Sequence, residues 1–463
     1  MSSYKWYPTS GMSAAQSISA IPAGGSNMSK GITRRDFLRG AAAGGVGLLV
    51  LSDSKLAFGS EANDKLNVAI IGAGGRGGSN LKGLSDQNIV ALCDTDDNVT
   101  AKASQEYPNA KVYADFRKML DQMHNKIDAV AVSTPDHTHT IAAVSAMQLG
   151  KHVYCEKPLT HSIYEARLMR DTARKYRVAT QMGNQGSAMD GLREAVEVIQ
   201  SGAIGQVYEI HVWSNRPVWP QGIARPTDSP EVPKNLHWDL WLGPAPKRAF
   251  NPCYQPFNWR GWHDFGTGAV GDMGCHTLNT AFRALDLRNP ISVEAESFEA
   301  TDETYPKRSI ITYLFPKRGN LRTLRMKWYD GGLKPSPDIL DGRELPGSGL
   351  VCIGEKGKLF SPDDYGATYE LYPKEKFEGY KPPAQTLPRS PGHYAEFVRA
   401  CKGGEPAFSN FDYAAAITET LLLGNLAIIT GEPIYWDPAA MKAINCSKAD
   451  YWVNTPYREG WTV

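Results

Sequence analysis

The chain has 463 residues, which is enough for two or three domains that each bury a sizeable core. Its 50 basic and 49 acidic residues leave a formal net charge of +1, so the sequence lacks the basic character of a nucleic-acid-binding protein. The seven cysteines are scattered without a Cys-x-x-Cys pair, and the sequence therefore predicts neither a disulfide framework nor a metal site.

Residues 1–63 are predicted to be a disordered leader that carries an export signal. The Ser-, Gly- and Ala-rich residues 1–30 precede the twin-arginine sequence Thr-Arg-Arg-Asp-Phe-Leu-Arg at 33–39. The Ala- and Gly-rich stretch 41–51 is short for a membrane span but fits the apolar part of a signal peptide. We therefore expect the twin-arginine machinery to export the folded protein to the periplasm, with cleavage after Gly59, or membrane association if the leader is retained. The alternative is an incidental Arg-Arg pair before an Ala-rich helix.

Residues 64–185 are predicted to form a Rossmann domain, which is an α/β fold with a doubly wound parallel sheet. Short runs rich in Val and Ile alternate here with helical stretches, as the crossover connections of a parallel sheet require. The predicted strands are 66–71, 88–93, 128–133, 152–155 and 178–182, and the predicted helices are 77–85, 98–106, 115–122, 138–149 and 161–175.

The first strand runs into a Gly-x-Gly-x-x-Gly turn formed by Gly72, Gly74 and Gly77. Such a turn lets the chain reverse tightly, brings the backbone close to a pyrophosphate and lets the following helix pack against the strand. The N-terminus of that helix offers free N–H groups to the phosphates. Gly75 and Arg76, inside the turn, are also predicted to contact the cofactor. The alternative is a glycine-rich turn without a ligand.

The second predicted strand ends at Asp94, about 20 residues after the glycine turn. A carboxylate at this point accepts hydrogen bonds from the ribose hydroxyls of the adenosine and repels a 2′-phosphate. The sequence therefore predicts NAD, rather than NADP, as the cofactor.

Residues 186–463 are predicted to form a second, α+β domain. A stretch rich in Trp, Pro and Gly, 215–268, interrupts a series of alternating runs that indicate an antiparallel sheet covered on one face. The predicted strands are 206–213, 292–299, 308–315, 321–329, 349–353 and 357–360, and the predicted helices are 190–201, 393–402 and 411–430.

Two groups of polar residues are candidates for catalysis. Lys157 follows the strand 152–155, where cofactor and substrate would meet, and can bond a substrate oxygen or exchange a proton. Asp272 and His276 are spaced i, i+4 in a predicted helix, so both lie on one helix face and could abstract a proton together. The alternatives are an exposed surface lysine, a capping aspartate and a structural histidine.

Further residues near these groups are candidates for contacts with the substrate or the nicotinamide. Gln181 lies within the last predicted strand of the first domain, and Asn184 and Gln185 follow that strand. In the segment before the predicted catalytic helix, aromatic rings could stack on a sugar and polar groups could bond its hydroxyls, although a packed structural loop is an equal alternative. These residues are Trp259, Arg260, Trp262 and His263.

Taken together, these motifs resemble those of the Gfo/Idh/MocA oxidoreductases. The resemblance rests on the glycine turn, Asp94, the sequence Ser-Thr-Pro-Asp-His-Thr-His at 133–139, Glu-Lys-Pro at 156–158 and the Asp-x-x-x-His pair, and it covers about residues 65–440. It implies a C-terminal domain with a large open-faced sheet that forms homo-oligomers, either dimers or tetramers. It also implies site roles for the matching residues: cofactor contacts for Thr134, Pro135, His137, His139 and Glu156, a catalytic Lys157, an orienting Asp272 and a general base at His276.

The resemblance implies an NAD-dependent oxidoreductase that acts on a hydroxyl of a sugar, glycoside or cyclic polyol. Export of the folded protein would require the nicotinamide to stay tightly bound. One alternative is redox-neutral glycoside hydrolysis by oxidation, elimination, addition and reduction, as in NAD-dependent α-N-acetylgalactosaminidases of this fold. Those enzymes have Tyr- and His-bearing sequence where this chain has 271–276. A non-catalytic NAD-binding sensor is a further alternative.

Overall fold

The structure is a computed structural model that describes residues 65–319 and 321–463. The predicted leader, its twin-arginine sequence and its cleavage site lie outside the described residues.

Six parallel strands form the first sheet in the order β3-β2-β1-β4-β5-β6, the doubly wound order of a Rossmann domain. Its strands are β1 (Asn67–Ile71), β2 (Asn88–Cys93), β3 (Lys111–Tyr113), β4 (Ala129–Val132), β5 (His152–Cys155) and β6 (Thr180–Met182). The helices that connect them are α1 (Arg76–Gly83), α2 (Asp97–Glu106), α3 (Phe116–Met123), α4 (Asp136–Gln148) and α5 (Ile163–Tyr176). The predicted fold class is confirmed, although the sequence analysis missed β3.

Burial on both faces of the sheet explains why the central strands are continuous apolar runs in the sequence. Helices cover both faces of the sheet, so Val68, Ala69 and Ile70 in β1 and all four residues of β4 are completely buried. The edge strand β3 has only three residues, and Val112 at its centre is 48% exposed. A short exposed strand carries no hydrophobic signal, which is why β3 escaped prediction.

Nine strands form the second sheet in the order β13-β12-β11-β7-β10-β9-β8-β14-β15. All neighbours are antiparallel except β7 and β10, which pair in parallel, so the predicted mostly antiparallel sheet is confirmed. Its strands are β7 (Val207–Trp213), β8 (Ser292–Phe298), β9 (Arg308–Phe315), β10 (Leu324–Tyr329), β11 (Gly349–Gly354), β12 (Lys358–Ser361), β13 (Glu370–Tyr372), β14 (Ile434–Asp437) and β15 (Lys442–Ala443). The remaining helices are α6 (Asp190–Gln200), α7 (Trp238–Leu242), α8 (Gly268–Thr277), α9 (Asn279–Leu285), α10 (His393–Cys401), α11 (Phe411–Thr430) and α12 (Ala449–Val453).

Two C-terminal helices return to the first sheet. Phe397 of α10 packs in the hydrophobic cluster that contains Val68 and Ile70 of β1. Helix α11 packs against α5, α8 and β8, and therefore joins the layers of the two sheets in one core. By length and hydropathy alone α11 could cross a membrane, but 83% of its most apolar window is buried inside the protein, as expected of a core helix.

Candidate active site

A cavity of about 460 Å³ lies along the edge of the first sheet at which its parallel strands end. Residues that follow each of the six strands line it, from Gly72 after β1 to Gln185 beyond β6. Its other wall comes from the second half of the chain, including Arg260, Asp272 and His276. Ligands of doubly wound folds bind at this edge, so the cavity is the candidate active site.

The glycine turn is built as the motif predicts. Gly72 has a φ of +83°, and a Cβ there would lie 2.7 Å from the backbone of Ser133. A Cβ on Gly77 would lie 1.8 Å from the carbonyl oxygen of Gly72, so only glycine lets α1 approach the strand this closely. Gly74, Gly75 and Arg76 line the cavity, and no side chain caps the N-terminus of α1. The free backbone N–H groups at the N-terminus of α1 are therefore suited to bind an anion.

Asp94 lines the cavity and also holds the glycine turn in place. Its Oδ2 accepts hydrogen bonds from the backbone N–H groups of Ala73 (2.8 Å) and Gly74 (3.3 Å), and its Oδ1 accepts one from Asp96 (3.0 Å). Burial raises the pKa of the Asp94 carboxyl, while these N–H bonds oppose the rise. A carboxylate has about four acceptor sites, so Asp94 keeps the capacity to bind a ribose hydroxyl.

The loop after β4 contributes Thr134 and Pro135 to the cavity lining. His137 and His139, which follow them, are buried and do not line the cavity. The two ring nitrogens of His139 face the carbonyl oxygens of Thr134 (2.8 Å) and Pro158 (2.9 Å). Those of His137 face two other backbone carbonyls at 3.1 and 3.2 Å, and burial lowers the pKa of His137 to about 3. The expectation that both histidines contact the cofactor is wrong for this structure, because both rings are buried and bonded to backbone. They position the loops that line the site.

Glu156 and Arg76 form an ion pair at the cavity wall. The Arg76 Nε donates to Oε1 of Glu156 (3.0 Å), and the side-chain amide of Asn80 donates to the same oxygen (2.9 Å). With its amide oriented to satisfy both neighbours, Gln185 accepts from the Arg76 guanidinium and donates to the carbonyl of Gly183 (3.2 Å). All three predicted cofactor contacts therefore lie together at the wall.

Lys157 and Asp272, which are 115 residues apart in the chain, meet in a partly buried ion pair. The Lys157 Nζ donates to Oδ1 of Asp272 at 2.7 Å and to the backbone carbonyl of the same residue at 2.7 Å. The Arg260 Nε donates to the same Oδ1 at 3.1 Å. Burial would raise the pKa of the Asp272 carboxyl, but the two cations outweigh it and lower that pKa to about 2. Asp272 is therefore ionised and fixes the Lys157 ammonium within the cavity.

His276 lies one helical turn beyond Asp272 on α8 and lines the same cavity. Its ring packs edge-on against Tyr365 with the centroids 4.8 Å apart, and its buried Nδ1 has no hydrogen-bond partner among the described residues. Burial, together with the charge of Lys157, lowers the pKa of His276 well below its ordinary value. The imidazole is therefore neutral near pH 7, which is the state that a general base requires.

Three predicted substrate residues are placed away from the cavity, which corrects their assignment. The Asn184 amide is buried between the carbonyl of Cys275 and the hydroxyl of Ser409. Trp262 is 1% exposed inside an aromatic cluster, and His263 is buried and bonds to the carbonyl of Asp302. Their neighbours Trp259 and Arg260 do line the cavity, and the Arg260 guanidinium lies over the Trp259 ring at 4.3 Å.

Sequence reasoning missed Asp136 as a residue of the site. It lines the cavity at the start of α4, its Oδ2 accepts a hydrogen bond from the Thr267 hydroxyl (2.7 Å), and burial raises its pKa to about 7. Asp136 was visible within the 133–139 motif, but its contact with Thr267 joins segments 131 residues apart. Tyr365 and Trp461 also line the cavity from segments that carry no motif.

The residues present fit a dinucleotide. A Cβ would fill the cradle at Gly72 and Gly77, the N-terminus of α1 is uncapped, and the buried Thr134 Oγ1 has no partner among the described residues. Gly74, Arg76 and Asp94 would hold the pyrophosphate and ribose, and Thr134, Glu156 and Gln185 would line the nicotinamide end. Among the described residues, no group of three or more His, Cys, Asp or Glu side chains is arranged to hold a metal ion.

Comparison with known proteins finds relatives named as a sugar dehydrogenase and as a glycosyl hydrolase. A D-glucoside 3-dehydrogenase of Escherichia coli is 29% identical over 245 residues, which cover 50% of this chain and 58% of that protein. A glycosyl hydrolase family 109 protein of Solibacter usitatus is 33% identical over 152 residues, which cover 29% of this chain and 34% of that protein. The match thus spans little more than half of the length of the first relative and about a third of the length of the second.

The fold is shared by the crystal structure of the WlbA dehydrogenase from Bordetella pertussis in complex with NADH and UDP-GlcNAcA. The two have a TM-score of 0.58 and 15% identity, and the match covers 81% of this chain and 99% of that one. Residues 66–184 match the family model of the NAD-binding Rossmann fold, and residues 197–463 match that of the C-terminal alpha/beta domain. The chain therefore belongs to the Gfo/Idh/MocA oxidoreductase family and has its NAD-binding domain.

Proposed function

We propose that the protein is an NAD-dependent carbohydrate oxidoreductase that converts a sugar, glycoside or cyclic polyol hydroxyl to a ketone. The observation that carries this proposal is the partly buried Lys157–Asp272 pair, which lines the same cavity as the neutral His276 and the glycine turn. The E. coli relative is named as a D-glucoside 3-dehydrogenase, which supports the same substrate class.

In the proposed reaction, the His276 imidazole takes the proton of the substrate hydroxyl. Lys157, which Asp272 holds in place, donates a hydrogen bond to the same oxygen as negative charge develops on it. Thr134, Glu156 and Gln185 would line the nicotinamide end of a bound NAD, which would supply the two-electron acceptor for the hydride of the adjacent carbon. Oxidation of one CH–OH group thus transfers its proton to His276 and leaves a ketone beside Lys157.

The test is an absorbance spectrum of the purified protein in the reduced-nicotinamide band while glycosides, free sugars and polyols are added in turn. We expect the band to grow with one substrate class and the product to be two mass units lighter. Lys157→Met should abolish this growth but retain NAD, whereas the matched control Lys82→Met, on the exposed surface of α1, should behave like the unmodified protein. Normal ligand responses in Lys157→Met would instead indicate a non-catalytic sensor.

A second candidate is a redox-neutral glycoside hydrolase, which is favoured by the relatives named as glycosyl hydrolase family 109 proteins. In that reaction, oxidation at C3 acidifies the C2 proton, the aglycone is eliminated, water adds, and the ketone is reduced again. The same experiment separates the two candidates. Released aglycone without net change in the nicotinamide band would support the hydrolase and contradict the oxidoreductase.

We further propose that the twin-arginine sequence directs the folded protein to the periplasm. The support is the pattern at 33–39 followed by the small, apolar stretch 41–51. Cell fractionation should place the protein outside the inner membrane, and replacing both Arg34 and Arg35 by Lys should retain it in the cytoplasm. A cytoplasmic protein before any substitution would refute this proposal.

A further inference from the structure

The adenosine half of the cofactor site is bounded by more than the Rossmann domain. Because the glycine turn binds the pyrophosphate and Asp94 follows β2, the adenine of a bound dinucleotide would continue toward the end of β3. Ala114 and Phe116 line the cavity there. Leu236, Trp241 and Trp461 line it as well, although they come from the second half of the chain.

The segment 235–242 is docked on the loop that follows Asp94. The backbone N–H of His237 donates to the carbonyl of Thr95 (2.8 Å), and that of Asp97 donates to the carbonyl of Asn235 (2.9 Å). The Asn235 side-chain amide donates to Oδ1 of Asp96 (2.7 Å). These bonds fix Leu236 and the following apolar side chains over the ribose-binding loop.

Residues 458–461, near the end of the chain, also cover the adenosine end of the cavity. Trp461 is 6% exposed, the Arg117 guanidinium lies 4.1 Å from its ring centroid, and the Phe116 ring lies 6.3 Å away. Arg458 ties the tail to the docked segment, because its Nη1 donates to Oδ1 of Asp239 (2.8 Å) and its backbone N–H donates to the carbonyl of Pro244 (3.0 Å).

We propose that the segments 235–242 and 458–461, which we call the clasp, enclose the adenine of the bound NAD and limit its release. Trp461, over whose ring the Arg117 guanidinium lies, closes the adenosine end of the cavity, and Leu236, Leu240 and Trp241 supply apolar contacts. Aromatic and apolar contacts with a base contribute to binding and do not depend on the nicotinamide end. This inference rests on the NAD-dependent function proposed above.

The test measures the rate of NAD release from the complete protein, by fluorescence of reduced cofactor during displacement with excess unlabelled NAD. We expect Trp461→Ala and Arg458→Ala to release the cofactor on the order of 10- to 100-fold faster. Trp461→Phe, which keeps an aromatic face, should release it close to the unmodified rate. Tyr451→Ala is the matched control, because Tyr451 is an exposed aromatic residue of the same C-terminal region that does not line the cavity.

A second measurement needs no substitution. Carboxypeptidase should remove the exposed Thr462 and Val463 and then Trp461 from the free protein. NAD and ADP-ribose should both slow the loss of Trp461, whereas nicotinamide mononucleotide, which has no adenine, should not. Unchanged release from Trp461→Ala, or equal protection by the mononucleotide, would refute the clasp but leave the proposed function standing. Absence of NAD binding to the unmodified protein would refute both.

Discussion

Replacing Asp272 by Asn should reduce both stability and turnover, because its buried carboxylate neutralises two partly buried cations. The fall of the Asp272 pKa from 3.8 to about 2 corresponds to roughly 2–3 kcal/mol of folded-state stabilisation at neutral pH. The substitution also leaves Lys157 and Arg260 without their shared acceptor charge. Removing one partner of a buried ion pair costs about 3–5 kcal/mol, so we expect a loss of about 3 kcal/mol.

The assay is chemical denaturation of the cofactor-free protein, combined with steady-state turnover. Turnover of Asp272→Asn should fall by about 10²- to 10³-fold, the range for loss of one donor to a developing negative charge, because the Lys157 ammonium is no longer held. The double variant Lys157→Met, Asp272→Asn should recover part of the lost stability, since it removes an unpaired cation, but no turnover. Asp264→Asn is the control, because Asp264 pairs with Arg248 outside the cavity lining, and it should retain turnover.

Three results would contradict this reasoning. The first is an Asp272→Asn variant as stable as the unmodified protein. The second is strict additivity of the effects of the Lys157 and Asp272 substitutions. The third is a stability that does not decrease at low pH: because the pKa of Asp272 is lower in the folded state, its contribution is present above pH 3.8 and should disappear as the pH falls through about 2.

Four further predictions follow from the site and the second sheet. His276→Gln should lower turnover by about 10²- to 10⁴-fold, and the acidic limb of the unmodified protein's pH–rate profile should lie well below pH 6.5, because the pKa of His276 is lowered. Asp136→Asn should melt higher than the unmodified protein at about pH 8 but not at about pH 4, because a pKa raised to about 7 makes ionisation of Asp136 cost stability as the pH rises. Gly77→Ala should abolish NAD binding in titration calorimetry, whereas Gly75→Ala, with no atom within 4 Å of the new Cβ and a φ of +49°, should only weaken it. Sedimentation velocity should detect a homo-oligomer formed through the second sheet, and Arg325→Glu, at an exposed position of β10, should weaken it; a monomer at all concentrations would refute this.

The sequence predicted those parts of the site that follow from local geometry. The glycine turn has its residues within one strand–helix connection, and the i, i+4 spacing of Asp272 and His276 requires only that α8 is a helix. Lys157 was placed at the sheet edge because it directly follows a strand. The structure adds that Lys157 and Asp272 form one ion pair, which spacing along the chain could not reveal.

The errors occurred where tertiary contacts decide which way a side chain faces. Trp259 and Trp262 are three residues apart, but the turn Asn258–Gly261 directs the first to the cavity and the second into an aromatic core. His137 and His139 lie in a correctly identified loop, yet backbone carbonyls of distant segments occupy both nitrogens of each ring. A motif identifies the loop, but not which of its side chains faces the ligand.

The contrast between site residues on regular elements and those on irregular segments indicates where substrate specificity lies within the cavity. Lys157, Asp272 and His276 are held by a strand end and a buried helix, so their geometry is set by the fold and suits any substrate hydroxyl. The remaining wall on the substrate side comes from irregular segments, through Trp219 and Gln255 of the 215–268 region and Tyr365. Since loops vary without disturbing a rigid scaffold, these side chains are the ones that should distinguish one sugar from another. Substitutions among them should therefore change KM between substrates, whereas substitutions in the Lys157–Asp272–His276 group should lower turnover of all of them.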